Sequence, residues 1–428
     1  MTPGTDLLHL AVPEAGPGTV RELTGDQIAA LLTVPGLVRL SPAVGGRWRV
    51  SGNQKAGLVR LRTPSGGAVQ LLLRPKLPVG NLLFLLCHSP SDPWLREAVT
   101  GAESEDLLPA VAELLVRIAR RTLEAGVLHG YRTVEEEAPL VRGQIRTAGQ
   151  LRRFGMPLPV SIRYDDHTPD IAENRILLAA LHLAARLPGL PRHTDVALRH
   201  LAHHLDAVQP PRPGEPLPGW TPNRLNSRYV PALRLAELLL SGRSVRLEGG
   251  EPVTADGFVL DMPTVFERFL TSTLGDALAR HGVRCAAQEQ HHRLDLAGHV
   301  RLRPDLVLYR SGRTLSVVDA KYAVRHEPAP PTEHLYQLLS YCTALGLPSG
   351  HLVYATTSHE ATVSRAPATD HVIRRAGITV TAHGLNLGGP PNTLLTEVSA
   401  LADRIALSGP QGPPRRREND VPPGSTHQ

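Results

Sequence analysis

Lysine and cysteine are both rare in this chain of 428 residues. Only three of its 46 basic residues are lysines, Lys55, Lys76 and Lys321, and the other cations are arginines. The three cysteines form no Cys-x-x-Cys pair and no zinc-ligand spacing, which excludes a disulfide framework and indicates a reducing compartment. Because an arginine stays protonated in proteins whereas a lysine can titrate, a retained lysine is a candidate for a chemical role.

Long apolar runs and a phosphate-binding loop are also absent. No stretch approaches the roughly 18 uninterrupted apolar residues of a membrane span, and the N-terminus lacks a basic segment followed by an apolar one. We therefore expect a cytoplasmic protein that does not contact a membrane. Nothing resembles GxxxxGK[ST], so we do not expect this chain to hydrolyse a nucleotide itself.

The excess of positive charge is small. A formal net charge of +6 does not by itself predict nucleic-acid binding by the whole surface. Two local arginine clusters, between Arg142 and Arg153 and at Arg415 to Arg417, are candidates for DNA contact. Solvated helix faces or a disordered basic tail explain these clusters at least equally well, so both interpretations stay open.

Two carboxylates accompany one of the three lysines. Asp319 stands two positions before Lys321, so both project from one face of a strand, and Asp305 comes fourteen residues earlier. The glycine-containing turn at Ser311 to Arg313 predicts a hairpin that brings Asp305 beside Asp319. Carboxylate oxygens are the ligands that Mg²⁺ prefers, and a lysine can orient water or stabilise developing negative charge. The pattern therefore predicts a Mg²⁺-dependent nuclease site.

An Asp-x-Lys sequence can also be an ordinary ion pair on a half-solvated strand. Three features favour the catalytic interpretation here. The strand before Asp319 is apolar on both faces, as in a buried strand. Pro304 places Asp305 at the start of its strand, and the scarcity of lysine elsewhere makes a casual lysine improbable.

Two helices are predicted around this hairpin. The upstream one opens at Asp261 with a proline near its first turn, and Glu267 lies beside its apolar stripe. The downstream one runs to Tyr341, with Thr332 as its expected N-cap. Along it Glu333, Gln337 and Tyr341 recur at i, i+4 and i+8, a polar row that could face the metal.

With these residues in view, the chain resembles the PD-(D/E)xK nucleases and, within them, the McrC-like subunits of 5-methylcytosine-specific McrBC restriction systems. Pro304-Asp305 and Asp319-Ala-Lys321 match the family's two core motifs. Val265-Phe-Glu267 stands where the family has Leu-Phe-Glu, a conservative departure. Gln337 and Tyr341 match its Tyr-Gln…Tyr helix.

The resemblance extends beyond the nuclease core, over about residues 55 to 385. Arg74-Pro-Lys76 is similar to the family's Pro-Lys motif, and Leu140 to Arg146 with Gln150-Leu151 to its Arg-Gly-Arg-Ile stretch. The segment from Tyr164 to Leu178 resembles its Thr-x-Asp turn leading into a helix with Asn-Arg. Each of these motifs alone is weak evidence for the family, but their occurrence in the family's order and spacing is hard to obtain by chance.

The resemblance implies a division of labour and a set of site roles. Asp305 and Asp319 would bind Mg²⁺, Glu267 would help through the metal or water, Lys321 would position the nucleophile, and Gln337 would support the site. A separate McrB-like AAA+ GTPase hexamer would recognise methylated double-stranded DNA, and this chain would stimulate its GTPase and cut. The alternatives are a non-catalytic adaptor that only activates the GTPase, and a stand-alone PD-(D/E)xK nuclease in DNA repair.

We expect an α/β (α+β) fold in four segments. Residues 1–100 predict a small β-rich domain, with a hairpin at Thr63 to Gly67, and the resemblance makes it the partner-binding domain. Residues 101–245 predict a helical middle region with a loop insert at 131–170. Residues 246–407 predict a restriction-endonuclease-like sheet flanked by helices, and residues 408–428 a disordered tail.

Overall fold

The computed structural model describes residues 7–87, 106–151, 158–212, 215–241, 256–322, 330–356 and 368–407. Within these ranges it has sixteen strands and ten α-helices, which confirms the mixed α and β fold class. The chain forms two compact units. The first has its main segment ending at Ser272 and also holds Asn386–Thr393, and the second holds Thr273–Ala355 and the described residues to Leu385 and from Leu394.

A four-stranded mixed sheet forms the centre of the first unit, in the order β1-β6-β5-β10. Its strands are β1 (Leu7–Pro13), β5 (Lys55–Arg62), β6 (Ala68–Arg74) and β10 (Asp256–Asp261). The predicted hairpin between β5 and β6 is confirmed, with the Thr63 amide donating to Gly67 O at 3.0 Å. β10 comes from far along the sequence and pairs antiparallel with β5, so this sheet is not built from the N-terminal segment alone.

Two three-stranded sheets complete the strands of this unit. One has the order β2-β4-β3, and the other has the order β7-β9-β8. The first consists of β2 (Thr19–Arg21), β3 (Val38–Pro42) and β4 (Trp48–Gly52). The second, within the segment expected as a loop insert, consists of β7 (Gly130–Ala138), β8 (Gln144–Ile145) and β9 (Val160–Thr168).

Seven helices belong to the first unit: α1 (Gly25–Leu32), α2 (Val79–Cys87), α3 (Leu107–Glu124), α4 (Thr147–Leu151), α5 (Ala172–Ala184), α6 (Arg192–His203) and α7 (Val230–Ser241). The Thr-x-Asp turn before α5 has a structural role. Buried Asp170 pairs with the guanidinium of Arg175, 2.5 Å away, and with Arg132. Buried Asn174 donates to the carbonyls of Leu128 and Pro169 at 2.7 Å, so this motif fixes the start of α5.

The second unit contains a six-stranded sheet in the order β11-β12-β13-β14-β16-β15. Its strands are β11 (Val283–Ala287), β12 (Leu306–Arg310), β13 (Arg313–Lys321), β14 (Ser349–Thr356), β15 (Thr369–Val372) and β16 (Thr379–Asn386). β11, β12 and β13 are antiparallel in succession, and β14 runs parallel to β13. α9 (Thr332–Leu345) belongs to this unit. α8 (Met262–Ala279) and α10 (Pro391–Leu407) begin in the first unit and continue into the second from Thr273 and Leu394.

β13 is buried on both faces from Leu315 to Asp319, as expected for a strand at the centre of a covered sheet. On one face Val317 packs in a core with Leu338 and Cys342 of α9. α9 approaches β14 closely at Gly350, where an added Cβ would lie 2.7 Å from the Cys342 Sγ. The glycine therefore permits the helix to lie against the strands that carry the predicted site.

Some expectations fall outside the described residues: the tail from residue 408, with Arg415 to Arg417, and the end of the first arginine cluster, Arg152 and Arg153. The limits of the four predicted segments stay predictions. Among the helices that the structure describes, none combines the length and apolarity that crossing a bilayer requires.

Candidate active site

The predicted hairpin between β12 and β13 is confirmed. The strands pair antiparallel up to Arg310 and Arg313, leaving Ser311 and Gly312 as a two-residue turn. Both turn residues have positive φ, 50° and 78°, as a type I′ turn requires. The pairing shifts register near Leu308, at a β-bulge, but is regular again towards Asp305.

This pairing sets the two aspartates opposite each other. Leu306 is paired with Val318, so the next position outward places Asp305 beside Asp319 on one face of the sheet. The Asp305 Oδ2 atom accepts a hydrogen bond from the Ala320 amide at 2.7 Å, which ties the first acid to the second strand. Asp319 is only 1 % exposed, at the end of the buried part of β13.

Lys321 lies on the same face because it follows Asp319 by two positions in the strand. Its Nζ atom is 2.5 Å from Asp319 Oδ2 and donates a hydrogen bond to Gln337 Oε1 at 2.8 Å. The close approach to Asp319 lacks hydrogen-bond geometry, and Oδ2 accepts no hydrogen bond from the described residues. The two groups form an ion pair, because a lysine ammonium rotates freely.

A chain of hydrogen bonds, called the relay below, holds the Lys321 side chain in position. Gln337 donates from Nε2 to the Tyr341 hydroxyl at 2.8 Å, and that hydroxyl donates to the Arg303 carbonyl at 3.2 Å. Burial, with a smaller contribution from the aspartates, raises the pKa of Tyr341 to about 12, so the hydroxyl stays protonated and can donate. Since Arg303 lies two residues before Asp305, the relay links α9 to both strands of the hairpin.

His334 and Tyr354 adjoin this site, and the sequence did not single them out. Tyr354 is paired with Lys321 across β13 and β14, and its hydroxyl lies 3.0 Å from His334 Nδ1. Burial and then the nearby Lys321 charge lower the pKa of His334. Glu333, the first member of the predicted polar row, has an 83 % exposed side chain. The three-residue spacing from His334 to Gln337 is the signal that would have identified the histidine.

The upstream acid lies on α8. Asp261 Oδ1 accepts hydrogen bonds from the Thr264 amide and hydroxyl at 3.0 and 2.9 Å, as an N-cap residue does, so the predicted helix start is correct. Glu267 is partly exposed beside buried Val265 and Phe266. It belongs to the first unit, whereas the other four predicted residues belong to the second. The geometry described above is therefore that of Asp305, Asp319, Lys321 and Gln337.

These four residues suit a hard divalent cation. Two carboxylates on one face offer oxygen ligands. Asp319 Oδ2 keeps capacity for a cation because, among the described residues, its close partner is an ammonium that can rotate away. Gln337 is exposed, so the end of β13 that carries Lys321 is open to a large substrate. The arrangement can hold a metal, fix an ammonium near it and admit a phosphodiester.

Comparisons with known proteins agree with the fold. A chain in the refined half-complex of McrB AAA+ hexamers with bound McrC, from Thermococcus gammatolerans, superposes with a TM-score of 0.53 at 16 % identity. The match covers 94 % of this chain and 100 % of that one. The cryo-EM structure of the McrBC complex from the same organism gives a TM-score of 0.38 at 18 % identity, covering 64 % and 88 %. No curated protein matches the sequence.

The sequence itself carries the assignment, since a structural likeness at such low identity speaks only for the fold. The family model described as McrBC 5-methylcytosine restriction system component matches residues 73–355, more than half of the chain. This range includes the outer motifs as well as the hairpin with Asp305, Asp319 and Lys321. The chain therefore belongs to the family of McrBC 5-methylcytosine restriction system components.

Proposed function

We propose that this chain is the endonuclease subunit of a McrBC-type restriction system and hydrolyses DNA phosphodiester bonds with Mg²⁺. The observation that carries the proposal is the opposition of Asp305 and Asp319 on one sheet face, with Lys321 Nζ held between Asp319 and Gln337. An ordinary surface ion pair would need neither the second carboxylate nor the hydrogen bonds that run from Gln337 through Tyr341 to the Arg303 carbonyl.

The residues have separate roles in this proposal. Asp305 and Asp319 hold Mg²⁺, which when bound polarises a phosphoryl oxygen and makes its water more acidic. Lys321 orients the attacking water and stabilises charge on the phosphate. Gln337 holds the lysine in place through a directed hydrogen bond. By family resemblance Glu267 contributes through the metal or through water.

Partner and substrate follow from the family. The Thermococcus gammatolerans structure pairs McrC with McrB AAA+ hexamers. We propose that this chain likewise binds a McrB-like AAA+ GTPase hexamer, stimulates its GTPase and cuts double-stranded, methylated DNA that the partner recognises. The chain has no GxxxxGK[ST] loop of its own, which is consistent with a separate GTPase.

Cleavage of methylated and unmethylated DNA in Mg²⁺, with and without the partner and GTP, tests the proposal. Asp319→Asn and Lys321→Ala should each lower cleavage by at least about 100-fold, because several kcal/mol of transition-state stabilisation is lost. Glu333→Gln, which changes an exposed carboxylate one turn away on α9, is the matched control and should cut normally. GTPase stimulation should survive in all three variants.

Each alternative has its own outcome. A chain that stimulates the GTPase but never cuts is a non-catalytic adaptor. A chain that cuts without partner, GTP or methylation is a stand-alone nuclease. Cleavage retained by both Asp319→Asn and Lys321→Ala would refute the assignment of the site.

A further inference from the structure

The chain between β11 and β12 forms a small hairpin of its own. The Gln288 amide donates to the Asp305 carbonyl at 3.0 Å, and Leu302 donates to the His292 carbonyl at 3.1 Å. An isolated bridge joins Arg293 and Arg301. This connecting hairpin, residues 288–305, thus delivers Asp305 to the start of β12, and its conformation determines where that acid lies.

Three side chains of the types that bind metal ions meet at the base of the connecting hairpin. Glu289 Oε2 lies 2.9 Å from His292 Nε2 and 3.8 Å from His291 Nε2. One ligand atom from each of the three residues lies within 4.8 Å of the others, and in the part of the chain that the structure describes this is the one such group of histidine, cysteine and acidic residues. The two imidazole rings are 4.0 Å apart between centroids.

These separations match a tetrahedral metal site. Zinc bonds of about 2.0–2.1 Å to nitrogen and oxygen place neighbouring ligand atoms about 3.3–3.4 Å apart in a tetrahedron. The observed 2.9 and 3.8 Å lie on either side of that value, and the two imidazole nitrogens lie within 4.8 Å of each other, so side-chain rotation would have to adjust these separations when an ion binds. Two imidazoles and one carboxylate favour a zinc-class ion over Mg²⁺, which prefers oxygen ligands.

A side chain of β12, Tyr309, orients the carboxylate of Glu289. Glu289 Oε2 accepts hydrogen bonds from the Tyr309 hydroxyl at 2.5 Å and from His292 Nε2 at 2.9 Å. A metal ion would replace the second of these bonds, with His292 binding as a neutral imidazole, while the bond from Tyr309 would remain. Hydrogen bonds to ligand carboxylates of this kind orient metal ligands in known sites. Glu289 and His292 are mostly covered, with side chains 19 % and 11 % exposed, whereas His291 is 67 % exposed. An ion would therefore enter from the side of His291 and keep one position for water.

We propose that Glu289, His291 and His292 bind one zinc-class transition-metal ion, and that this ion stabilises the conformation of the connecting hairpin. The site is separate from the Mg²⁺ ligands proposed above, because its donors include two nitrogens and it shares no residue with them. The three residues are positioning residues with respect to cleavage, since they act on Asp305 only through the backbone of the hairpin.

Metal binding by the full-length, untagged chain tests the proposal. After chelator treatment, the protein is dialysed against Zn²⁺ and its metal content measured, with affinity from competition with a chromophoric chelator. The wild type should hold one equivalent at this site. His291→Ala and His292→Ala should weaken that binding by more than about tenfold, since each removes a direct ligand. Co²⁺ should give the visible bands of tetrahedral coordination in the wild type but not in His291→Ala or His292→Ala.

Two control variants show whether any loss of zinc binding is specific to the three proposed ligands. His299→Ala changes a histidine of the same hairpin whose side chain is 84 % exposed, and it should bind zinc as the wild type does. Asp319→Asn should also keep the zinc, which separates this site from the proposed nuclease centre even if the chain never cuts DNA. Because His291 is exposed, its replacement leaves the fold intact if His292→Ala does not fold.

Three outcomes would overturn the proposal. The wild type could bind no zinc. It could bind zinc that persists in both His291→Ala and His292→Ala, in which case the ion sits on other histidines. It could lose the ion in Asp319→Asn, in which case the ion belongs to the carboxylate site.

Discussion

Acid should destabilise the second unit through two buried histidines. His351 on β14 and His383 on β16 are both buried, with Nδ1 of the first 3.2 Å from Nε2 of the second. Burial lowers the pKa of His351 to about 4, opposed by Asp370. Burial, then His351 and Arg404, lower that of His383 to about 3. Both imidazoles are therefore neutral in the folded chain at neutral pH.

The direction and the size of this pH effect on stability follow from proton linkage. Below the unfolded pKa of about 6.5 the unfolded chain takes up two protons that the folded chain does not, so stability is complete above pH 6.5 and is lost as pH falls towards 4. Each histidine contributes about 1.4 kcal/mol per pH unit in this window, so going from pH 7.5 to 5.0 should cost on the order of 4 kcal/mol. That is a large share of the roughly 5–15 kcal/mol of a typical domain.

Chemical unfolding followed by circular dichroism at both pH values measures this loss. The double variant His351→Asn, His383→Gln puts an amide near each bonding nitrogen and cannot titrate, so most of the extra pH dependence should vanish. His299→Gln, at an exposed histidine, should keep the wild-type pH dependence. Equal pH dependence in the wild type and the double variant would refute the reasoning.

Three further outcomes are expected. Gln337→Leu removes the hydrogen bond that holds Lys321, so DNA cleavage should fall about 10- to 100-fold with unchanged thermal unfolding, and Gln337→Glu should restore part of it. Asp170→Asn breaks a buried pair with two guanidiniums, and unfolding experiments should show a loss of roughly 3 kcal/mol. Gly350→Ala should cost about 1–3 kcal/mol because the new Cβ meets the Cys342 Sγ, and Cys342→Ala should relieve it.

The hairpin of β12 and β13 could be predicted because its signals are local. Alternating residues, a two-residue turn with glycine, and a proline before Asp305 fix the strands and their pairing, and the pairing fixes which side chains face each other. The same holds for the start of α8 at Asp261, where a short polar side chain precedes a proline-containing first turn.

Features that depend on distant pairing could not be predicted. The meeting of His351 and His383 depends on the order of β14 and β16 in the sheet, and the pairing of β10 with β5 joins strands far apart in sequence. A local feature was also predicted wrongly, namely that Thr332 is the N-cap of α9. Thr332 is the first helical residue, and Pro331 is the N-cap without a side-chain hydrogen bond, because the preset φ of proline already suits that position.

The rarity of lysine did not by itself identify a catalytic residue. Lys55 forms an ion pair as short as that of Lys321, 2.5 Å from Asp261, and its side chain is similarly covered. Its partner, however, also caps α8, so Lys55 joins β5 to the end of β10 and has a structural task. Lys321 differs in its surroundings: a second carboxylate faces its partner, and a glutamine holds it at an open edge. The proposed chemical role of Lys321 therefore rests on the other side chains that meet at its ion pair, and the pairing of the strands determines which side chains those are.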